Sequence, residues 1–359
     1  MLPKEILNKI ENFEQSRNDV IASAHNINYK YHNESGQNKV LVSTQLESLA
    51  YSVYRMPATY EGCLNVFKQL YNIVGDTHFS SLLDVGSGTG SATLACSQVF
   101  AFDKIVCFER ETSMIDCAKN LISEYVNNVQ WRQGSLGTYN FDNKYDMVVS
   151  SYVLNEMDDN TRLKIVDQLW QCTNNILVII EPGTQEGFRQ IQSIRNYLID
   201  KNANIVAPCT HNQQCKMSDS GLCQFSCRVP RTKLLKQIKN ADVPYEDEKF
   251  CYIIFSKQKY QLPQYRVIKH PFYRPKVVEM TVCGKDELKK LFPFLANKNS
   301  NYKEAYISIL NSFENCSIAF KGKKINFNSA MYSKIMNSND RLLKKVVFNW
   351  YLDKLKKNN

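Results

Sequence analysis

A glycine-rich loop is the segment whose residue types and spacing most clearly suggest a binding function. Residues 83–90 read Leu-Asp-Val-Gly-Ser-Gly-Thr-Gly, between a short apolar run and a helical stretch. Glycines let the backbone turn sharply and approach a ligand closely, and the following helix presents free amide groups to that ligand. Glu109 ends the next apolar run, 19 residues after Gly90. A carboxylate in this position can accept both hydroxyls of an adenosine ribose.

A loop of this type can bind either of two kinds of cofactor, a dinucleotide or S-adenosylmethionine. Dinucleotides prefer the spacing Gly-x-Gly-x-x-Gly, whereas this loop has Gly-x-Gly-x-Gly with an aspartate in front. The pattern is similar to that of S-adenosylmethionine sites, in which an acidic residue faces the cationic methionine part. Gly134-Ser135 follows the third predicted strand, where the adenine ring would lie. We therefore expect an S-adenosylmethionine site formed by Asp84, Gly86, Ser87, Gly88, Gly90, Glu109, Gly134 and Ser135.

No catalytic group is recognisable in the sequence. The Asn-Pro-Pro-Tyr type of clamp that methylases of exocyclic amines use is absent after the fourth predicted strand, where the chain reads Tyr152-Val153-Leu154-Asn155-Glu156. Pro208-Cys209 is similar to the nucleophilic motif of pyrimidine-C5 methylases, but three more cysteines lie nearby and favour a metal role. Cofactor binding is therefore better supported than catalysis, and the catalytic residues stay unknown.

Four of the twelve cysteines fall within 19 residues. Cys209, Cys215, Cys223 and Cys227 have the spacing C-x5-C-x7-C-x3-C. Exposed thiols without a metal oxidise readily, so a metal site is the better explanation of the cluster. The spacing does not separate zinc, which usually takes closer cysteine pairs, from an iron–sulfur cluster, which accepts cysteines distant in sequence. The fourth sulfur would come from Cys227 or from a distant residue such as Cys283.

Short apolar runs alternate with helical stretches after residue 80, and this pattern predicts a parallel sheet covered by helices on both faces. The predicted strands are 81–85, 104–109, 129–133, 145–150 and 176–181, and the predicted helices are 91–100, 113–126 and 161–173. Two further runs, 250–256 and 277–282, are predicted to pair antiparallel at the sheet edge. The result is an α/β fold with the Rossmann-like, seven-stranded, mostly parallel sheet of class I S-adenosylmethionine-dependent methyltransferases. In this sheet, Cys283 would end a strand beside the fifth.

We expect three parts along the chain. Apolar positions at helical spacing predict a helical N-terminal region over residues 1–75. A methyltransferase-like domain follows over residues 76–285, with a cysteine-rich metal-cluster insertion at about 183–248. Residues 286–359 form a basic C-terminal region. The acidic run Glu246-Asp247-Glu248 is expected to pair with Lys249 and nearby arginines as a structural feature.

Positive charge is concentrated in the last third of the chain. Residues 1–255 contain 24 Lys and Arg against 28 Asp and Glu, a net charge of −4, whereas residues 256–359 contain 21 against 7, a net charge of +14. Such a one-sided field attracts polyanions, because neutralised phosphates release counterions. The alternative is a lysine-rich surface that serves solubility.

The sequence also allows predictions about membrane insertion and the cellular compartment. No apolar run approaches the roughly 18 residues that a membrane-spanning helix needs, so an integral membrane protein is excluded. The start, residues 1–5, has neither a signal-peptide apolar stretch nor an Arg-rich presequence. This predicts a bacterial cytoplasmic location, with the mitochondrial matrix as the alternative.

These motifs together resemble those of the methyltransferase-like proteins of the mitochondrial small ribosomal subunit and their bacterial relatives, the Rsm-twenty-two type. The resemblance covers about residues 50–310. It rests on residues 55–60, 83–90, 152–156, 181–188, 207–211, 215, 223–226, 244–250, 266–268 and 283. The cysteine segment and the Tyr-Glu-Asp-Glu-Lys-Phe run are its most specific parts.

The resemblance implies a small-subunit assembly or translation factor that binds S-adenosylmethionine, a 4Fe–4S cluster, and the rRNA and proteins of the small ribosomal subunit. Carried over by position, the cluster ligands are Cys209, Cys215, Cys223 and Cys283, Cys227 is a spare thiol, and zinc is the alternative metal. The alternative function is an active rRNA methyltransferase, and the resemblance leaves enzymatic activity open. Off the ribosome we expect a monomer that does not bind a membrane.

Overall fold

The computed structural model describes residues 1–34, 40–217, 221–263, 265–268, 272–274, 277–285, 288–291, 318–320 and 323–325. Most of the predicted basic C-terminal region therefore lies outside the described residues. The chain divides into two compact units. Unit 1 comprises Met1–Ala207 and Leu222–Tyr260, and unit 2 comprises Pro208–Gly221 and the chain from Gln261 onward. The three-part division expected from the sequence stays a prediction.

Unit 1 begins with the helices that the apolar spacing predicts. They are α1 (Lys4–Glu11), α2 (Arg17–Asn33), α3 (Gln45–Tyr54) and α4 (Met56–Val74). A capping box starts α3, because the Thr44 hydroxyl accepts from the Glu47 N–H and the Glu47 carboxylate accepts from the Thr44 N–H. Pro57 lies in the first turn of α4, where its missing N–H costs no helical hydrogen bond.

An eight-stranded sheet forms the centre of unit 1. Its strands are β1 (Ser81–Val85), β2 (Lys104–Glu109), β3 (Val129–Gln133), β4 (Tyr145–Ser151), β5 (Thr173–Pro182), β6 (Asn204–Ala207), β7 (Phe225–Pro230) and β8 (Tyr245–Ser256). The helices between them are α5 (Ser91–Ser97), α6 (Thr112–Ile122), α7 (Asp159–Gln171), α8 (Gln185–Asp200) and α9 (Lys233–Ile238). The five parallel strands expected from the sequence are confirmed.

The strand order is β3-β2-β1-β4-β5-β8-β6, and β7 also pairs with β8. β8 runs antiparallel to β5, β6 and β7, while β1 to β5 are parallel to one another. An antiparallel strand between the fifth and sixth strands is the layout of class I methyltransferases. In parallel strands the carboxyl ends meet at one edge, so the loops after β1, β2 and β4 lie side by side.

The predicted edge pair of residues 250–256 and 277–282 is wrong. β6 takes the place beside β8. Residues 277–282 belong instead to β11 (Val277–Gly284) in unit 2, which pairs with β9 (Tyr265–Val267), β10 (Phe272–Arg274) and β12 (Leu288–Leu291). β13 (Ile318–Phe320) pairs antiparallel with β14 (Lys323–Ile325). Cys283 therefore pairs in register with Arg266 and Leu288 and not with the fifth strand.

The sequence pattern does not predict β6, because this strand has only four residues and begins with the polar Asn204. Its apolar residues Ile205, Val206 and Ala207 are nonetheless buried. Among the described residues, no helix combines the length and the apolar character that crossing a membrane requires.

Candidate functional site

The glycine-rich loop joins β1 to α5 and is tied to the end of β2. The Gly86 N–H donates to the Phe108 carbonyl at 2.8 Å, and the Gly88 N–H donates to Oε2 of Glu109 at 2.9 Å. Gly86 and Gly88 have φ values of +66° and +52°, which disfavour residues with a Cβ. A Cβ on Gly86 would also lie 2.5 Å from Cγ2 of Val153. The glycines are therefore required by the shape of the loop.

Glu109, the last residue of β2, accepts hydrogen bonds from three backbone N–H groups. Besides the contact with Gly88, its Oε1 accepts from the N–H groups of Arg110 at 2.8 Å and Glu111 at 3.0 Å. Burial raises the pKa of Glu109, and the three N–H donors partly oppose that rise. Each carboxylate oxygen can accept more than one hydrogen bond, so Glu109 keeps acceptor capacity for ligand hydroxyls.

A cavity of about 270 Å³ lies against this loop, and we call it the loop cavity. Its wall includes the glycine loop, residues 108–111, residues 134–137 and residues 151–153. Six of the eight residues expected to bind a cofactor line it: Gly86, Ser87, Gly88, Glu109, Gly134 and Ser135. The structure therefore brings together the ends of β1, β2 and β3 around one space.

Asp84 and Gly90 do not line the loop cavity. Asp84 is fully buried, and its Oδ2 accepts from both the N–H (3.0 Å) and the hydroxyl (2.6 Å) of Thr93. Burial raises the pKa of Asp84 to about 6, against the effect of the Thr93 hydrogen bonds. The carboxylate thus fixes the first turn of α5. Gly90 has a φ of +78° and caps the same helix.

The N-terminal helices supply part of the cavity wall that sequence reasoning missed. Tyr31 from α2 and Tyr51 from α3 line the loop cavity, as do Leu41 and Val42 from the segment between these helices. Glu156 also lines it, in the run noted after β4. Burial raises the pKa of Glu156 to about 7, and a hydrogen bond from Tyr31 opposes the rise. No local sequence signal connects these residues, because more than a hundred residues separate Tyr31 from Glu156.

Tyr152 is held in the cavity wall by a partly buried ion pair. Nη2 of Arg55 lies 3.0 Å from Oε1 of Glu248, and the Tyr152 hydroxyl donates to the same oxygen at 3.2 Å. Burial opposes the charge on Arg55, but the combined effects of Glu248, Tyr51 and Tyr152 outweigh burial and raise the pKa of Arg55. Tyr152 has a φ of +57°, and its N–H donates to the Ile180 carbonyl at 2.8 Å. This network joins three segments that the sequence analysis singled out.

The rest of the acidic run on β8 is also paired, as the sequence predicts for nearby arginines. Arg228 lies 3.0 Å from Asp247, and Arg231 lies 3.1 Å from Glu246. The charges of both arginines are therefore partly neutralised within the protein, which leaves them less able to attract phosphate.

Glu181 supports the turn that carries Glu156. It is fully buried at the end of β5, and its Oε1 accepts from the Leu154 N–H at 3.1 Å. Leu154 begins a short 3-10 helix that ends at Glu156. Burial raises the pKa of Glu181 to about 8, so the carboxyl group is largely protonated at neutral pH.

Glu181 should make stability depend on pH. Its pKa rises from 4.5 to about 8 on folding, so between these values the folded state binds more protons than the unfolded state. Stability from this group is complete below pH 4.5 and is lost as the pH rises toward 8. Urea unfolding across this range should show a steeper decline for the wild type than for Glu181→Gln. The exposed Glu124→Gln should follow the wild type, and equal pH slopes for wild type and Glu181→Gln would contradict the assignment.

The cysteines of the predicted cluster are half-buried: Cys209, Cys215, Cys223, Cys227 and Cys283. Three of the expected ligands, Cys209, Cys215 and Cys283, belong to unit 2. Within the described ranges, no group of three or more His, Cys, Asp or Glu is arranged to hold a metal ion. The ligand set therefore stays a prediction.

Cys227, the expected spare thiol, lies in the eight-stranded sheet of unit 1. It lies in β7 opposite Glu248 on β8. Burial and then the charge of Glu248 raise the pKa of Cys227 to about 12, which keeps the thiol protonated.

Comparison with known proteins gives one family match. A family model described as "Mitochondrial small ribosomal subunit Rsm22" matches residues 45–308. The human "Ribosome assembly protein METTL17, mitochondrial" is 24% identical over 262 residues, which cover 67% of this chain and 56% of that protein. The "Rsm22-cox11 tandem protein 2, mitochondrial" of Schizosaccharomyces pombe is 26% identical over 245 residues, which cover 60% of this chain and 32% of that protein. The chain thus spans only about a third to a half of the relatives it matches.

Among solved structures, the magnesium protoporphyrin IX methyltransferase of Synechocystis with bound S-adenosylmethionine is 13% identical. The match covers 69% of this chain and 100% of that chain, with a TM-score of 0.39.

Proposed function

Because the chain belongs to the mitochondrial small ribosomal subunit Rsm22 family, we propose that it acts in the assembly of the small ribosomal subunit. The single observation that carries this proposal is the family match over residues 45–308. The human relative is itself named a ribosome assembly protein. Both named relatives are mitochondrial by name, which supports the mitochondrial matrix as the proposed location. The bacterial cytoplasm, the other expected location, receives no support from the comparisons.

The loop cavity is the proposed site for S-adenosylmethionine. Glu109 would hold the ribose hydroxyls, Gly134 and Ser135 would lie beside the adenine ring, and the Gly86–Gly88 backbone would face the methionine part. The position of Glu109 supports S-adenosylmethionine binding in the loop cavity. Its carboxylate lies in the cavity wall and is oriented by three N–H donors. When bound, this cofactor supplies a methyl group carried on a sulfonium ion. The residues of the chain bind and orient it.

Cys209, Cys215, Cys223 and Cys283 are the proposed ligands of a 4Fe–4S cluster, with zinc as the alternative metal. Four thiolates suit either metal in charge and softness. The position-by-position resemblance supports this set and leaves Cys227 out. A cluster would stabilise the loop that follows β6, because metal binding and local folding are coupled.

Serine variants test the ligand set. Each of Cys209→Ser, Cys215→Ser, Cys223→Ser and Cys283→Ser should lose most of the bound iron, because each removes one of four thiolates. Cys227→Ser is the matched control and should keep it. Iron, zinc and acid-labile sulfide are measured on protein prepared without oxygen. Iron loss in Cys227→Ser, or full retention in any of the four, would refute the set. Zinc without sulfide would select the alternative metal.

The basic last third of the chain is the proposed rRNA-binding segment. Its net charge of +14 can neutralise phosphates, which gives affinity without sequence choice. Arg228 and Arg231 are paired with acidic residues of β8 and contribute less. We therefore expect rRNA affinity to depend on lysines and arginines after residue 255, and we expect the free protein to be a monomer.

Deletion of the gene that encodes this protein tests the proposed function. Cells that lack it should accumulate incomplete small subunits while large subunits stay at normal levels, as seen in a sucrose gradient. The wild-type chain should restore the small subunit. A normal gradient in its absence would contradict the proposal.

An active rRNA methyltransferase is the second candidate, because the loop cavity is lined by Tyr152 and Glu156 beyond the fourth strand. Rescue with a Gly88→Val chain separates the two candidates. Loss of one rRNA methyl group with normal assembly favours the enzyme. Unchanged methylation with defective assembly favours the assembly factor.

A further inference from the structure

A second cavity of about 810 Å³ adjoins the loop cavity within unit 1, and we call it the tyrosine cavity. The two cavities share four lining residues: Tyr31, Tyr51, Tyr152 and Met157. The remaining wall comes from α2, the end of α3 and the amino-terminal ends of α7 and α8. A ligand in the tyrosine cavity would therefore lie next to anything bound at the glycine loop.

Aromatic rings dominate the side of the tyrosine cavity that faces the loop cavity. Tyr31 and Tyr51 have ring centroids 6.0 Å apart, and Tyr54 adds a third ring whose hydroxyl donates to Oδ1 of Asn28 at 2.8 Å. Tyr152, the fourth ring, is held in place by Glu248. Fixed aromatic faces are what a flat ligand stacks on, and stacking on them favours every nucleobase.

The three arginines in the wall of the tyrosine cavity, Arg55, Arg162 and Arg189, all have carboxylate partners. Nη1 of Arg189 lies 3.0 Å from Oδ2 of Asp159, and Nη2 of Arg189 lies 2.6 Å from Oε1 of Glu186. Arg162 also pairs with Asp159. Hydrogen bonds from Arg189 and Arg162 lower the pKa of Asp159 to about 2, so this carboxylate stays charged at neutral pH. Arginines that already have carboxylate partners favour an uncharged ligand over a phosphate.

We propose that the tyrosine cavity binds one unstacked base of a single-stranded RNA. This inference rests on the proposed rRNA-binding function and deepens it by naming a base contact beside the cofactor site. Phosphates would bind elsewhere, on the basic last third, while the base enters the cavity and stacks on tyrosine. Such stacking contributes about 1–3 kcal/mol per base and tolerates different bases.

Blocking the tyrosine cavity from α2 tests the proposal. His32 is exposed and lines the tyrosine cavity but not the loop cavity, so His32→Trp should fill the entrance without disturbing the glycine loop. His25→Trp is the matched control, because His25 is exposed on the same helix and lines neither cavity. The probe is a single-stranded octaribonucleotide that carries one 4-thiouridine. Irradiation and mass spectrometry identify the peptide to which it crosslinks, and fluorescence anisotropy measures total RNA binding by the full-length chain.

We expect the wild type and His25→Trp to crosslink through peptides 40–55 or 145–162, which contain three of the four tyrosines. His32→Trp should lower that crosslink by about tenfold or more and should weaken the affinity measured by anisotropy by about fivefold or more, as loss of one stacked base predicts. The basic last third should keep the remaining RNA affinity. Crosslinks confined to the last third, or equal yields in both histidine variants, would overturn the base site and leave RNA binding standing. If the wild-type protein causes no anisotropy change, it does not bind the RNA. That result would overturn both the rRNA-binding proposal and this inference.

Discussion

Replacing Glu248 with alanine is expected to lower the free energy of unfolding by about 3 kcal/mol, because it leaves the mostly buried Arg55 without its partner. The same change removes the oxygen to which the Tyr152 hydroxyl donates. Arg55 and Glu248 side chains are 25% and 11% exposed, so solvent screens this pair only in part. Urea unfolding followed by circular dichroism measures the loss.

The neighbouring Asp247 provides a matched control on the same strand. It pairs with Arg228, but these side chains are 49% and 60% exposed. Because exposed pairs contribute little, Asp247→Ala should change stability by no more than about 1 kcal/mol. Replacing both Arg55 and Glu248 with apolar residues should recover part of the loss. Equal effects of Glu248→Ala and Asp247→Ala would contradict the assigned role of the network.

Replacing Glu109 with alanine should weaken S-adenosylmethionine binding by about 100-fold, because hydrogen bonds to a charged group contribute about 1.5–3 kcal/mol each. The change removes the carboxylate proposed to hold the ribose. It also leaves the N–H groups of Gly88, Arg110 and Glu111 without their acceptor. Titration calorimetry with S-adenosylmethionine and with S-adenosylhomocysteine measures the affinity.

Two variants make the affinity test specific. Glu109→Gln keeps one acceptor oxygen and should fall between the wild type and Glu109→Ala. Glu124→Ala removes a carboxylate that is 64% exposed and does not line the loop cavity, so it should bind like the wild type. Undiminished affinity in Glu109→Ala would show that the cofactor does not bind at this carboxylate.

The parts of the fold that the sequence predicts correctly are those in which a local pattern determines the structure. Continuous apolar runs such as 81–85 and 104–109 are long enough, and the helices between them regular enough, to identify five parallel strands. The glycine loop and Glu109 follow from the same pattern, because the carboxyl ends of neighbouring parallel strands must meet. Six of the eight residues expected at the cofactor site therefore line one cavity.

The errors arose where distant segments determine the structure. β6 is too short to give a pattern of its own, whereas the longer run 277–282 has a strand pattern that predicts an edge strand. Asp84 matches the motif, yet it is fully buried, accepts hydrogen bonds from Thr93 and does not line the loop cavity. Tyr31 and Tyr51 come from helices whose packing against the loop has no signature in the sequence.

Association with small-subunit rRNA tests the central claim most directly. The full-length chain, carrying a purification tag, is crosslinked to RNA inside cells, and the bound RNA is sequenced. The account predicts that most crosslinked reads come from small-subunit rRNA and that they decline when the basic residues after 255 are neutralised. Two results would contradict the association with small-subunit rRNA. The reads could be spread over cellular RNA in proportion to its abundance, or they could be concentrated on large-subunit rRNA.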